Sequence, residues 1–159
     1  VIISVLKGLF NIYVSPGMLL TGKKRDELSG KELSMEELKT YFEAANGMGI
    51  MATADKEGKV NVAVYSRPHF LEDGTLAFIM RERLTHHNLQ SNPHAAYLFV
   101  EEGQGYQGKR LHLTKIGEDD DRERIQNLSR RKYQNEKEGG RFLVSFRVDK
   151  ELPLIGPGQ

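Results

Sequence analysis

Two short stretches carry residue types that suit one kind of chemistry. YSRP, from Tyr65 to Pro68, ends one apolar run, and MRERLTHHN, from Met80 to Asn88, follows another. If the strands that carry them pair, Arg67 and the Arg81–Arg83 segment approach each other at the mouth of a hairpin. Thr85 adds a hydroxyl where a short helix is expected to begin. The first amides of a helix have no partner within it and favour an anion. Guanidinium, hydroxyl and helix N-terminus together form a phosphate site. The plainer reading of the same residues is a threonine cap and solvated arginines.

A second stretch, GQGYQG from Gly103 to Gly108, has the GxGxxG spacing of a dinucleotide-binding turn. That motif requires a helix directly after the glycines, because the helix N-terminus holds the pyrophosphate. Here KRLHLTKIG follows, and it alternates as a strand does. The glycines therefore read as a hairpin loop between antiparallel strands.

The five histidines do not suggest a metal. His86 and His87 are adjacent and diverge on a helix. His69, His94 and His112 fall on different elements without a ligand-like spacing. Ser66 precedes an Arg-Pro pair and lies in no nucleophile motif. The chain has no cysteine, which excludes disulfides, thiolate sites and a cysteine nucleophile, and suits a reducing cytoplasm. Lys and Arg total 23 and Asp and Glu 22, so nothing marks a nucleic-acid binder.

These residues need elements to position them. Ser34 with Glu37 forms a capping box, and Leu38, Tyr41, Phe42 and Ala45 follow at helical spacing, which predicts a helix over 35–46. The period then changes to two. MGIMATA, KVNVAVYSRPHF and TLAFIMR read as three strands joined by tight turns, an antiparallel meander. Val60, Val62 and Val64 share one face of the second. A short helix over 86–92 ends at Pro93, and HAAYLFVEE and KRLHLTKIG are strands four and five. A helix opens at Asp119-Asp-Asp121, and RFLVSFRVD is the last strand. Six strands with few helices predict a mainly β fold, a small antiparallel barrel with helical decoration.

With 159 residues, one domain is expected. Residues 1–33 read as an extension and linker, 34–150 as the domain, and 151–159 as an irregular tail. The apolar start is interrupted by Lys7, Asn11, Pro16 and Gly17 and lacks a cleavage signal, so neither a membrane span nor a signal peptide is expected. Met18 and Met35 are each plausible starts for the ancestral domain.

From VNVAVYSRPHF through RERLTHHNLQSNPHAAYLF, the sequence resembles the FMN-binding split β-barrel family related to pyridoxamine 5'-phosphate oxidase. The likeness runs over about residues 34 to 150, and THHNLQSNP is its most specific part. It implies a split barrel that binds FMN, with Arg67, Thr85, His86 and Asn88 around the phosphate and Arg81 and His87 as weaker candidates. The flavin ring would lie along Val64, Tyr65, Ser66 and Met80, largely on backbone groups. The family further implies a homodimer with flavin in clefts between the barrels, where Tyr106 and Arg110 can reach the partner's flavin. The implied activity is a flavin-dependent oxidoreductase acting on a small molecule or an electron-transfer partner. A non-catalytic electron carrier and a haem-binding split barrel are the alternatives. His69 and Tyr65 are possible proton donors. The true oxidases use aromatic and arginine motifs near their C-terminus. This chain has no tryptophan and ends KELPLIGPGQ, so oxidation of pyridoxamine phosphate is not expected.

Overall fold

The computed structural model describes residues 34–130 and 140–156; the extension over 1–33 lies outside them. Helix α1 (Met35–Ala44) begins at the predicted capping box, with Ser34 Oγ accepting from the Glu37 amide and the Glu37 carboxylate accepting from the Ser34 amide. Its apolar side buries Leu38 and Phe42.

Strands β1 (Gly47–Ala54), β2 (Val60–Tyr65), β3 (His69–Phe70) and β4 (Leu76–Arg81) follow, then helix α2 (Leu84–Ser91). Strands β5 (His94–Glu101) and β6 (Gly108–Asp119), helix α3 (Arg122–Leu128) and strand β7 (Arg141–Pro153) complete the described chain. All strands join one antiparallel sheet in the order β2-β1-β5-β6-β7-β4-β3. Strand β6 carries irregularities at His112/Leu113 and Lys115/Gly117, of the kind that bends a strand and lets a sheet curl. The result is a mainly β, antiparallel split barrel.

The structure corrects four expectations. The stretch from 59 to 70 is two strands, giving seven in place of six, because the chain leaves the sheet at Ser66–Pro68 and proline has no amide to donate. The meander is absent: β2 pairs with β1 alone, and β4 pairs with β7 and with the two-residue β3. Thr85 is not the helix cap, because α2 starts at Leu84 with Arg83 in the N-cap position. Strand β7 continues to Pro153, past the expected end of regular structure. The glycine segment is a hairpin loop as read, with the Glu101 amide bonded to the Gln107 carbonyl at 3.0 Å and β5 paired to β6 on either side.

The core collects Met51, Phe78, Tyr97, Phe99, Leu111, Leu113, Val144 and Phe146 from the inner face of the sheet, with Leu38 and Phe42 of α1. Gly49 on β1 leaves room for Tyr97 to pass, since a Cβ there would collide with the tyrosine hydroxyl. That hydroxyl donates to the Ser66 carbonyl at 3.0 Å, just where β2 ends. Tyr41 ties α1 to the sheet by donating to Glu101 at 2.5 Å, and Lys109 Nζ lies 4.6 Å from the Tyr41 ring centroid. No described helix is long and apolar enough to cross a membrane.

Candidate functional site

The start of α2 is the chemical centre of the expected site. Arg83 holds the N-cap in an extended conformation, and no side chain bonds the amides of the first turn. Those amides belong to Leu84, Thr85 and His86, and unsatisfied first-turn amides carry the positive end of the helix dipole. Arg83 is exposed beside them. Arg81 is at the end of β4, and the β4–β7 register places Arg141 directly opposite it. The backbone therefore brings Arg81, Arg83 and Arg141 to the same end of the sheet as the α2 N-terminus.

The side chains of α2 behind this end are fixed by the barrel. Thr85 is buried, and its Oγ1 accepts from Asn61 Nδ2 at 3.0 Å. Asn88 is buried and donates to Thr53 Oγ1 on β1 at 3.2 Å. Tyr65 lies on the same side of β2 as Asn61. Burial pushes its phenol up, while Thr85 and the Arg83 guanidinium pull the other way. His86 is buried, stacks on Phe142 of β7, and places Nε2 3.1 Å from Glu118 Oε2 on β6. Gln90 and Lys115 also bond that carboxylate. Burial raises the Glu118 carboxyl, but hydrogen bonds from Lys115, Gln90 and His86 outweigh it and hold it below its ordinary range. His87 is exposed.

The sequence-derived set thus divides. Thr85, Tyr65 and the Arg81–Arg83 segment stand at the helix start. The side chains of His86 and Asn88 anchor α2 to the sheet. Arg67 is elsewhere: its Nη1 donates to the carbonyls of Phe42, Glu43 and Ala45 at 2.9, 3.3 and 2.6 Å, closing the C-terminus of α1. A cation there suits the helix dipole. Met80 is fully buried, backbone included, so it offers the expected flavin ring no open contact. Ser66 presents an exposed side chain.

Val64 points away from Tyr65, as the period of two requires. Val60, Val62 and Val64 are 81%, 63% and 72% exposed along the β2 edge, and Met48 on β1 is also exposed. Among the described strands β2 is at the edge of the sheet, so this apolar row lies along an edge strand. Tyr106 is exposed at the tip of the glycine hairpin with a positive φ of 51°. Arg110 donates through Nε to the Pro153 carbonyl at 2.9 Å.

Asn61, Arg83, Glu118, Arg141 and Phe142 complete the surroundings of α2. Arg83 lay within the segment already singled out by its arginines. The other four reach the helix through strand pairing or packing from a distance in sequence, and no local pattern signals them.

The family model described as pyridoxamine 5'-phosphate oxidase matches residues 34–151. No curated protein matches the chain. Among solved structures, an FMN-binding protein from Syntrophomonas wolfei subsp. wolfei superposes with a TM-score of 0.62 at 20% identity, over 77% of this chain and 87% of that one. An F420 reductase superposes with a TM-score of 0.54 at 14% identity, over 66% and 88%. General Stress Protein 26 from Bacillus anthracis str. Sterne gives 0.57 at 14%, over 76% and 92%. At these identities the likeness is one of fold.

Proposed function

Because the chain belongs to the pyridoxamine 5'-phosphate oxidase family, we propose that it binds FMN, with the flavin phosphate at the α2 N-terminus, and acts as a flavin-dependent oxidoreductase. The observation that carries this reading is the first turn of α2. Its amides lack a side-chain cap, the exposed Arg83 is its N-cap residue, and Arg81 and Arg141 face each other across β4 and β7 just before it. The Thr85 hydroxyl is held at this turn by Asn61. Helix N-terminal amides, guanidiniums and a hydroxyl are the groups that bind a phosphate dianion.

When bound, a flavin supplies hydride or single-electron transfer, and the protein binds, orients and shields it. In this reading Tyr65 and Ser66 receive its ring at the end of β2, and the fully buried Met80 lies behind that surface without touching the ring. The exposed valines of β2 suit a second copy of the chain, so the active form is a homodimer with flavin between the barrels. Tyr106 then covers the partner's cleft. Arg110, tied to the Pro153 carbonyl, steadies the C-terminal end of β7 near it. FMN is favoured over a larger cofactor because the glycine segment is a hairpin and offers no second phosphate turn. A cytoplasmic location belongs to the same reading.

The test is a titration of the full chain with FMN and with riboflavin, which lacks the phosphate. Arg83→Ala should weaken FMN by about tenfold or more, since hydrogen bonds to charged groups contribute about 1.5–3 kcal/mol, and leave riboflavin unchanged. Equal affinity of wild type and variant for FMN would remove the phosphate from α2.

A further inference from the structure

A second concavity opens between α1, the β2–β3 connection and the residues after α3. Its volume is about 190 Å³, and Phe42, Pro68 and Phe70 form an apolar floor. Lys39, Glu43, His69 and Arg130 supply its polar wall. A water occupies about 30 Å³ of liquid, so the space equals about six waters. That admits one aromatic ring with a substituent and is smaller than the sites that take larger ligands.

The walls are tied together by two arginines in series. Arg130 donates through Nη1 to the Arg67 carbonyl at 2.6 Å and through Nη2 to the Pro68 carbonyl at 3.0 Å. Arg67 in turn closes the end of α1. Within this frame, two polar groups have no protein partner among the described residues: the His69 ring and the Lys39 ammonium. Burial, then the charge of Arg130, depresses His69 to a pKa of about 4. Near neutral pH the ring is therefore an uncharged imidazole with one N–H to donate. Lys39 and Arg130 place two cations around the pocket against the single carboxylate of Glu43.

We infer that this pocket binds a small aromatic carboxylate, its ring on Phe42, Pro68 and Phe70 and its carboxylate between the His69 N–H and the Lys39 ammonium. The apolar lining of Phe42, Pro68 and Phe70 selects the ring. The net positive wall selects an anion over a neutral isostere, and Arg130 fixes the wall through its two carbonyl contacts. The site does not depend on the flavin reading.

The experiment uses the full chain with 15N-labelled histidine. The His69 ring resonances are followed during titration with sodium benzoate, with benzamide, and with sodium chloride at matched ionic strength. The pocket predicts a saturable shift with benzoate at about tenfold lower concentration than with benzamide, and none with chloride. Lys39→Glu should bring benzoate down to the benzamide level, because it removes one cation from the pocket and adds a second carboxylate beside Glu43. Absence of a saturable shift, equal response to benzoate and benzamide, or an unchanged benzoate response in Lys39→Glu would each overturn the inference. Because the readout is the His69 ring, a failure here leaves the FMN titration untouched, and the reverse also holds.

Discussion

His86 lies flat on Phe142, with ring centroids 4.1 Å apart and planes 9° from parallel. Through this stack, and through the bond to Glu118, helix α2 is held to β6 and β7 as well as to the strands it follows in sequence. Phe142→Ala should therefore lower stability by about 2 kcal/mol, less than a fully buried phenylalanine because Phe142 is half-buried. Urea unfolding measures this. The same variant should weaken FMN, since it loosens the helix that presents the amides.

Arg67 should behave as a structural residue first. Its three carbonyl contacts close α1, so Arg67→Ala is expected to cost about 2 kcal/mol of folding stability. In a folded preparation, its FMN affinity should fall less than that of Arg83→Ala. Parallel denaturation and flavin titration of the two variants distinguish the roles.

How far the sequence reveals this site depends on how local each device is. The capping box at Ser34 and Glu37 is complete within four residues, and it is found where its pattern stands. The glycine hairpin is equally local, because the alternation of KRLHL excludes a helix after it. Sheet order is not local. Strand β4 pairs with β7, so Arg81 faces Arg141, and only the folded chain shows that pairing. Arg67 illustrates the same limit: its type and place suggest an anion, but its acceptors are the carbonyls that end α1. For Val60, Val62 and Val64 the period of two identifies a shared face, and it takes the folded sheet to show that this face is outward.

His69 gives the protein a pH dependence of defined sign. Its folded pKa, about 4, is below the ordinary histidine value of 6.5. Between those values the unfolded chain binds the extra proton, so stability rises with pH in that window. The contribution is fully present above about pH 6.5 and is lost as pH falls toward 4. Urea midpoints at pH 7, 5.5 and 4.5 should decline in that order, and His69→Phe should flatten the slope across the same range.

The valine row on β2 should govern assembly. Val62→Lys places a charge at the centre of the exposed stripe, where a second copy would have to bury it, and a buried unpaired charge is strongly unfavourable. Sedimentation velocity should show a dimer for the wild type and a monomer for the variant. Far-UV circular dichroism should be unchanged, because Val62 makes no part of the core. FMN affinity should fall with the dimer, since the flavin is proposed to lie between the barrels.

The central claim is that this barrel carries FMN, and the visible absorption spectrum of the purified protein, before and after addition of FMN, tests it most directly. The account predicts an oxidised flavin spectrum perturbed from that of free FMN, and release of FMN on denaturation. A protein that is colourless and leaves the spectrum of added FMN unchanged would contradict it, and a Soret band would assign the cleft to haem.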